Sequence, residues 1–259
     1  MPVKKIHTAP GIGDETKALV ARLADTGFPP DAINVYEGRN NIAKVERDGM
    51  TLNIKSFRKP FFPNSLIYTN FRKSKARRSY EHAVRLLEVG IDTPAPVAYV
   101  EIKKNGFLTR SYYVSVHSPY PRNLRTWENW GADERDNVLE DYAALMAKVH
   151  SLGILHHDLS PGNILWQTNA ETGKTEFHIV DLNRMSFRGR PLKTSERFSN
   201  FRNINFKKEE TARLGRIYGK ITGLDEDESS ARAVAALAKD RRKKERLKKT
   251  KNLFSNIKH

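Results

Sequence analysis

The chain contains no cysteine. Disulfides, thiolate catalysis and cysteine-based zinc sites are thereby excluded. No apolar run approaches the roughly 18 residues needed to cross a bilayer, which excludes a membrane-spanning helix. Behind Met1-Pro2-Val3-Lys4-Lys5 no apolar stretch follows, so no secretory signal peptide is expected. Internal repeats are absent. What is there is a globular composition: 38% hydrophobic and 9% aromatic residues, leaner than average but well above a disordered chain. At 259 residues there is room for one large domain or two small lobes, and for a core of useful size. Together these point to a soluble, cytoplasmic, strongly basic protein.

Acid is the other scarce commodity. Against 46 Lys and Arg there are 30 Asp and Glu, a formal net charge of +16. Such a surplus favours anionic partners: nucleic acid, an acidic membrane surface or phosphorylated substrates. It is clustered. From Ser56 to Tyr80 there is no acid, while Arg58, Lys59, Arg72, Lys73, Lys75, Arg77 and Arg78 alternate with Phe57, Phe61, Phe62, Tyr68 and Phe71. Cations with rings suit a membrane interface, or single-stranded nucleic acid, or simply a solvated loop whose aromatics pack inward. A second cluster runs from Arg184 to Lys208 with one acid, Glu196. A third is the tail from Lys239 to Lys251, opposed only by Asp240 and Glu245. It follows an Ala-rich helical pattern over Ser230–Leu237 and is either a solvated helix end or an anion-binding tail.

The hydrophobic pattern changes character along the chain. After an irregular lead and a short helix (Glu15–Ala24), β-rich runs are expected at Ile33–Glu37, Ile42–Arg47 and Met50–Phe57, with Asp48-Gly49 as a hairpin turn. Ser74–Val89 reads as a helix stopped by Gly90. Val97–Ile102 and Tyr112–Val116 read as strands around Asn105-Gly106. Val138–Leu152 is the clearest helix, with Val138, Tyr142, Leu145, Val149 and Leu152 on one face and Gly153 ending it. Short apolar runs follow at Ile154-Leu155, Asn163–Gln167 and Glu176–Val180, then loop and helix. Strands first and helices later suggest an α+β chain in two lobes. The expected divisions are residues 1–117, 118–238 and a basic helical tail at 239–259.

The chemistry is concentrated in His156-His157-Asp158-Leu159-Ser160-Pro161-Gly162-Asn163-Ile164-Leu165. Another short strand later comes Val180-Asp181-Leu182-Asn183. Two strands of a hairpin would bring Asn163 and Asp181 close together. An acid beside an amide oxygen makes a hard-oxygen site suited to Mg²⁺, which takes few protein ligands and keeps phosphate oxygens and waters. Asp158, one loop away, is free to accept a hydroxyl proton. An oriented nucleophile and a metal clamp are what phosphoryl transfer needs.

The pattern His-x-Asp-x-x-x-x-Asn, followed by a strand-borne Asp, resembles the catalytic and metal-binding loops of the protein-kinase-like superfamily. The resemblance implies a bilobal fold, with an antiparallel-sheet N-terminal lobe and a mainly helical C-terminal lobe. It implies ATP and Mg²⁺ as cofactors, Asp158 as base, and Asn163 and Asp181 on the metal. Leu52-Asn53-Ile54-Lys55 looks like the strand that carries the nucleotide lysine, with Lys44 as competitor. The acid that orients this lysine is expected on the next helix, at Glu81, with Glu88 as runner-up; the plainer role for Glu81 is a surface pair with Arg77 or Arg85. The phosphate-covering turn would be Glu37-Gly38-Arg39-Asn40-Asn41, with Gly38 and Asn40 against the phosphates. The chain departs from the pattern in four ways. That turn has one glycine; Leu182 and Asn183 replace Phe and Gly of the metal motif; His157 stands where an arginine reads a phosphorylated activation loop; and no Ala-Pro-Glu follows. An enzyme without activation-loop switching, and without the usual peptide platform, is expected.

Within that superfamily the chain resembles the bacterial lipopolysaccharide kinases, the Kdo and inner-core heptose kinases. The likeness is carried by Gly90-Ile91-Asp92-Thr93-Pro94-Ala95-Pro96, by Gly153 through Leu165, and by Asp181-Leu182-Asn183-Arg184. It implies phosphorylation of a sugar hydroxyl on the lipid A–core glycolipid, an anionic substrate met at the inner-membrane surface by a peripheral protein. Nucleic acid is the less favoured partner. The rivals are an atypical protein or small-molecule kinase, and a basic pseudokinase scaffold.

Overall fold

The computed structural model describes residues 1–57, 73–204 and 206–256, the side chains of 243, 244 and 247–256 apart. Residues 58–72, the heart of the basic–aromatic stretch, lie outside the described residues, as does most of the tail's side-chain charge. The chain divides into two compact units: residues 1–119 with 178–183, and residues 120–177 with 184–259.

The first unit is an antiparallel sheet with two helices. Its strands are β1 (Val3–Thr8), β2 (Ile33–Tyr36), β3 (Asn40–Arg47), β4 (Met50–Phe57), β5 (Pro96–Lys104) and β6 (Phe107–Val116), in the order β1-β5-β6-β4-β3-β2. Helix α1 (Asp14–Asp25) covers one face. Leu19, Val20, Leu23 and Ala24 pack with Val45, Leu52, Ile54, Val100 and Val114 into a core. Each fully buried side chain of this kind is worth roughly 1.5–3 kcal/mol. The β3–β4 turn does two jobs. Asp48 (φ 49°) and Gly49 (φ 71°) both sit in the left-handed region that a tight two-residue hairpin demands. The Asp48 carboxylate then accepts the Thr16 backbone N–H at 2.9 Å and the Thr16 hydroxyl at 2.6 Å, supplying the N-terminal cap that α1 lacks in its own sequence. Helix α2 (Lys75–Glu88) is capped by Ser74, whose Oγ accepts from the Arg77 backbone N–H. Strand β1 occupies the segment expected to be irregular. Its VKKIHT sequence has no inside–outside alternation, and six backbone partners on β5 make it a strand.

The second unit is mainly helical: α3 (Ala132–Ser151), α4 (Lys208–Thr222) and α5 (Glu226–Asn256). Val138, Leu139, Tyr142, Ala143, Met146, Val149 and His150 form the buried stripe of α3. This helix starts a turn and a half earlier than its apolar pattern, because Asp133 and Glu134 suit the positive end of the helix dipole. Helix α5 runs without interruption through the basic tail to Asn256. The short strands are β7 (Arg122–Asn123), β8 (Ile154–His156), β9 (Ile164–Thr168), β10 (Thr175–Ile179) and β11 (Met185–Phe187). They form a β10-β9-β7 sheet and a β11-β8 pair. The last two residues of β10 belong to the first unit. Gly153, between α3 and β8, has φ +71°, and a Cβ there would lie 2.0 Å from the Arg190 carbonyl oxygen. Only glycine fits the corner that aims β8 and the loop after it.

Candidate functional site

Strand β4 alternates. Leu52 and Ile54 enter the core, so Lys55 projects from the opposite face, paired across the sheet with Ile42 and Tyr113. Its ammonium reaches Asp181 Oδ1 at 2.6 Å, a partner 126 residues away, and sits 5.4 Å from the Phe57 ring. The Lys55 side chain is 13% exposed and that of Asp181 27%. Lys44, the competing lysine, lies on the same face of the neighbouring strand, opposite Asn53.

Asp181 is held in place by its surroundings. Its φ is +60°, a left-handed conformation that costs a residue with a Cβ roughly 1–2 kcal/mol. Asn183 Nδ2 donates to the same Oδ1 at 2.6 Å. Upstream, the Ile179 backbone N–H donates to Asp92 O at 3.1 Å and Thr93 Oγ1 donates to Ile179 O at 2.7 Å. From α2, His82 Nδ1 lies 2.7 Å from the Leu182 carbonyl oxygen, so this nitrogen carries the proton and donates. Burial pushes the His82 pKa down, against the opposing pull of that carbonyl. His82, Thr93 and Asn183 were not singled out by chemistry in the sequence. Only the closure of α2 and the 90–96 segment on residues 178–183 gives them a task.

In the second unit the loop from His156 to Asn163 ties itself. The Asp158 backbone N–H donates to His156 Nδ1 at 3.1 Å, and the Asp158 carbonyl accepts Ser160 N–H and Asn163 Nδ2, each at 2.9 Å. Asn163 is therefore anchored by its amide nitrogen, which leaves Oδ1 as its coordinating end. The Asp158 carboxylate accepts from Arg184 Nη1 at 3.1 Å and is 40% exposed. His157 contacts Ser186 Oγ at 2.7 Å and its carbonyl accepts from Arg202 Nη2 at 2.8 Å. Burial lowers the His157 pKa, with Arg188 and Arg202 adding to it. Beneath the loop, Asn200 Nδ2 donates to the His156 carbonyl at 2.7 Å, Asn200 Oδ1 accepts from His150 Nε2 at 3.2 Å, and His150 Nδ1 accepts from the Tyr218 hydroxyl at 2.8 Å. Burial drives His150 down to about 4, so it is neutral. A buried chain of polar groups with its partners satisfied specifies one loop conformation. His150 reads in sequence as one more polar residue in a helix; nothing local marks it.

One expectation about these residues is modified. Glu81 pairs with Lys73 Nζ at 2.7 Å and Arg77 Nε at 2.8 Å, and Lys55 pairs with Asp181 rather than with Glu81. The physical reason is helical spacing. Arg77, one turn back, shares a face with Glu81, and Lys73 lies just before the cap. Burial works to raise the Glu81 pKa, and the two cations overcome it and hold it below the usual carboxylate range. The Glu37–Arg39 connection carries the Tyr36 ring against Gly38, within 3 Å of where a Cβ would be. Asn40 opens β3, and its Oδ1 is buried without a hydrogen-bond partner among the described residues.

The donor chemistry fits a magnesium ion. Asp181 in the first unit offers a carboxylate and Asn163 in the second an amide oxygen, each a hard donor of the kind this ion prefers. Among the described residues no group of three or more His, Cys, Asp or Glu could form a dedicated metal cage. An ion that keeps its waters and phosphate oxygens needs none.

Comparison with known proteins gives the fold and the family. Among the solved structures, WaaP in complex with acyl carrier protein matches with a TM-score of 0.57 and 18% identity, covering 94% of this chain and 99% of that one. The Rio2 kinase ADP/Mg²⁺-phosphoaspartate complex from Chaetomium thermophilum gives a TM-score of 0.49 at 16% identity, covering 88% of this chain and 75% of that one. The chain shares the WaaP fold over nearly the whole of both chains, an α+β arrangement with an antiparallel sheet in one unit and mainly helices in the other. No curated protein sequence matches the chain. The model of the lipopolysaccharide kinase (Kdo/WaaP) family matches residues 35–218. With most of its length inside that match, including Lys55, the Asp158–Asn163 loop and Asp181, the chain belongs to the lipopolysaccharide kinase (Kdo/WaaP) family.

Proposed function

We propose that the protein is an ATP- and Mg²⁺-dependent kinase that phosphorylates a sugar hydroxyl, Kdo or heptose, of the lipopolysaccharide inner core. The observation that carries the reading is the 2.6 Å pairing of Lys55 with Asp181, which unites a strand lysine with the acid of the metal motif. Asp158 accepts the proton of the acceptor hydroxyl. The acceptor oxygen bonds to the γ-phosphorus as the bond from that phosphorus to the β–γ bridging oxygen breaks, and ADP leaves. Lys55 binds nucleotide phosphates. Asp181 and Asn163 are the oxygen donors for Mg²⁺, which when bound neutralises phosphate charge. Gly38 and Asn40 line the turn assigned to the phosphates. Glu81 orients Lys55 only if it exchanges its present partners during turnover.

The acceptor is an anionic glycolipid, reached from the inner-membrane surface by a peripheral protein. The net charge of +16 supports attraction to such a surface, and among the described residues no helix is long and apolar enough to cross a membrane. Because WaaP was solved with acyl carrier protein, an acyl carrier protein is the first protein partner to test by co-purification.

The test is transfer from labelled ATP with Mg²⁺ to Kdo–lipid A, heptosylated core and a generic protein mixture in parallel. Label in one glycolipid is the expected result and names the sugar. Label in protein alone would replace the acceptor class. Absence of Mg·ATP binding, with salt-steep RNA affinity, would replace the enzyme with a scaffold.

A further inference from the structure

In the second unit three guanidinium groups from three separate segments touch the His156–Asn163 loop. Arg125 is the second residue of the 3₁₀ turn Leu124–Asn129, and its backbone N–H donates to Asn123 Oδ1 at 2.9 Å. Its side chain lies over Gly162. A Cβ built on that glycine would be 2.4 Å from Arg125 Nη2 and 3.0 Å from Cζ. Glycine at 162 is therefore the seat of the guanidinium, and any side chain there would displace it. Arg125 is exposed and its guanidinium makes no ion pair among the described residues. At the other end of the loop Arg184 contacts Asp158, and Arg202 holds the His157 carbonyl. The loop's one carboxylate, Asp158, is thus outnumbered. Each guanidinium has five N–H donors in a planar fork that matches a carboxylate or phosphate.

We infer that the Gly162 end of the Asp158–Asn163 loop is an anion subsite, in which Arg125 binds an acidic group of the acceptor while Arg184 and Arg202 keep the other end of the loop cationic. The inference rests on the sugar-kinase reading and sharpens it. The acceptor would be an acidic sugar, or a sugar beside a phosphate, and not a neutral hydroxyl compound. Both groups occur in the proposed glycolipid: Kdo carries a carboxylate and lipid A carries phosphates. Arg125 is then a specificity-determining residue, separate from the groups that meet the nucleotide.

Steady-state kinetics of Arg125→Ala and Gly162→Ala with Kdo–lipid A test it. Arg125→Ala should raise the acceptor KM about tenfold and leave the KM for ATP within about twofold, the size of one charge-assisted contact. Arg125→Lys should recover part of the loss, and added salt should shrink the difference. Gly162→Ala should raise the acceptor KM as well, with the arginine retained. Acceptors with the Kdo carboxylate amidated, or with the lipid A phosphates removed, distinguish the two sources: the one on which wild type and Arg125→Ala become equal lacks the bound anion. An unchanged acceptor KM, or a loss confined to ATP, overturns the subsite. If the wild-type chain labels no glycolipid, the sugar-kinase reading fails by itself. Inorganic phosphate titrated against the fluorescence of Trp127, Trp130 and Trp166 then reads the subsite directly. A response in wild type that Arg125→Ala loses sustains it, and an equal or absent response overturns it.

Discussion

In the first unit the candidate groups meet through side chains delivered by distant segments. Lys55 and Asp181 are 126 residues apart, and Asp181 sits in a strained conformation held by contacts from α2, β4 and the 90–96 segment. In the second unit the Asp158 loop is built on short-range bonds. Bonds among residues 156–163 tie it to itself, Arg184 and Arg202 hold it from farther along the chain, and a buried His150–Asn200 chain props it from below. A part-buried ion pair can exchange one partner for another and keep its charges compensated, whereas unmaking a buried polar chain strands its groups without partners. The first arrangement is thus suited to exchanging partners, as the proposed nucleotide binding requires. The second is suited to holding one carboxylate still.

The largest effect should come from the held carboxylate. Asp158→Ala should lower kcat by about 10²–10⁴-fold, the usual worth of a positioned base, with nucleotide binding retained; calorimetric Mg·ATP titration beside the transfer assay checks both halves. Lys55→Met should separate activity from stability. Transfer should fall by at least about a hundredfold while the unfolding free energy falls by about 1–3 kcal/mol, since the part-buried Asp181 loses its cation but keeps Asn183 as a donor. Denaturant unfolding that shows a much larger loss would mean that the first unit depends on this pair for its fold.

The second unit should instead be sensitive to pH. His150 has a folded pKa of about 4 and an ordinary value near 6.5 when unfolded. As pH falls the unfolded chain takes the proton first. Stability is therefore full above about 6.5 and declines towards about 4, by at most about 1.4 kcal/mol per pH unit. His150→Gln should flatten that acid limb in thermal melts, even if it lowers the melting temperature at neutral pH. The smallest effect is expected at Glu81. Glu81→Gln removes a half-exposed pair with Lys73 and Arg77, so kcat/KM should change by less than about tenfold. A hundredfold loss would show that Glu81 leaves those partners for Lys55 in the working enzyme.

What could be read in advance follows the range of the interaction. The Asp48-Gly49 turn, the α1, α2 and α3 helices and the Gly153 corner are local matters of φ preference and 3.6-residue spacing. Expectations for them differ from the structure mainly at their ends. Strand β1 escaped, because an edge strand with no buried face is made by its neighbour's backbone and not by its own pattern. The α1 cap escaped for the same reason: its acceptor, Asp48, lies 32 residues from Thr16. Glu81 was expected to serve Lys55, and helix geometry gave it nearer cations.

By itself, then, the sequence determined the class of chemistry, because Asp158, Asn163, Asp181 and Lys55 carry their functional groups wherever the chain goes, and the loop spacing is a covalent fact. Tertiary structure decided who holds whom: His82 on the Leu182 carbonyl, Arg184 on Asp158, Asn200 under His156 and Arg125 over Gly162. Those pairings join residues far apart in the chain. Their strength depends on burial and on distances that exist only after folding.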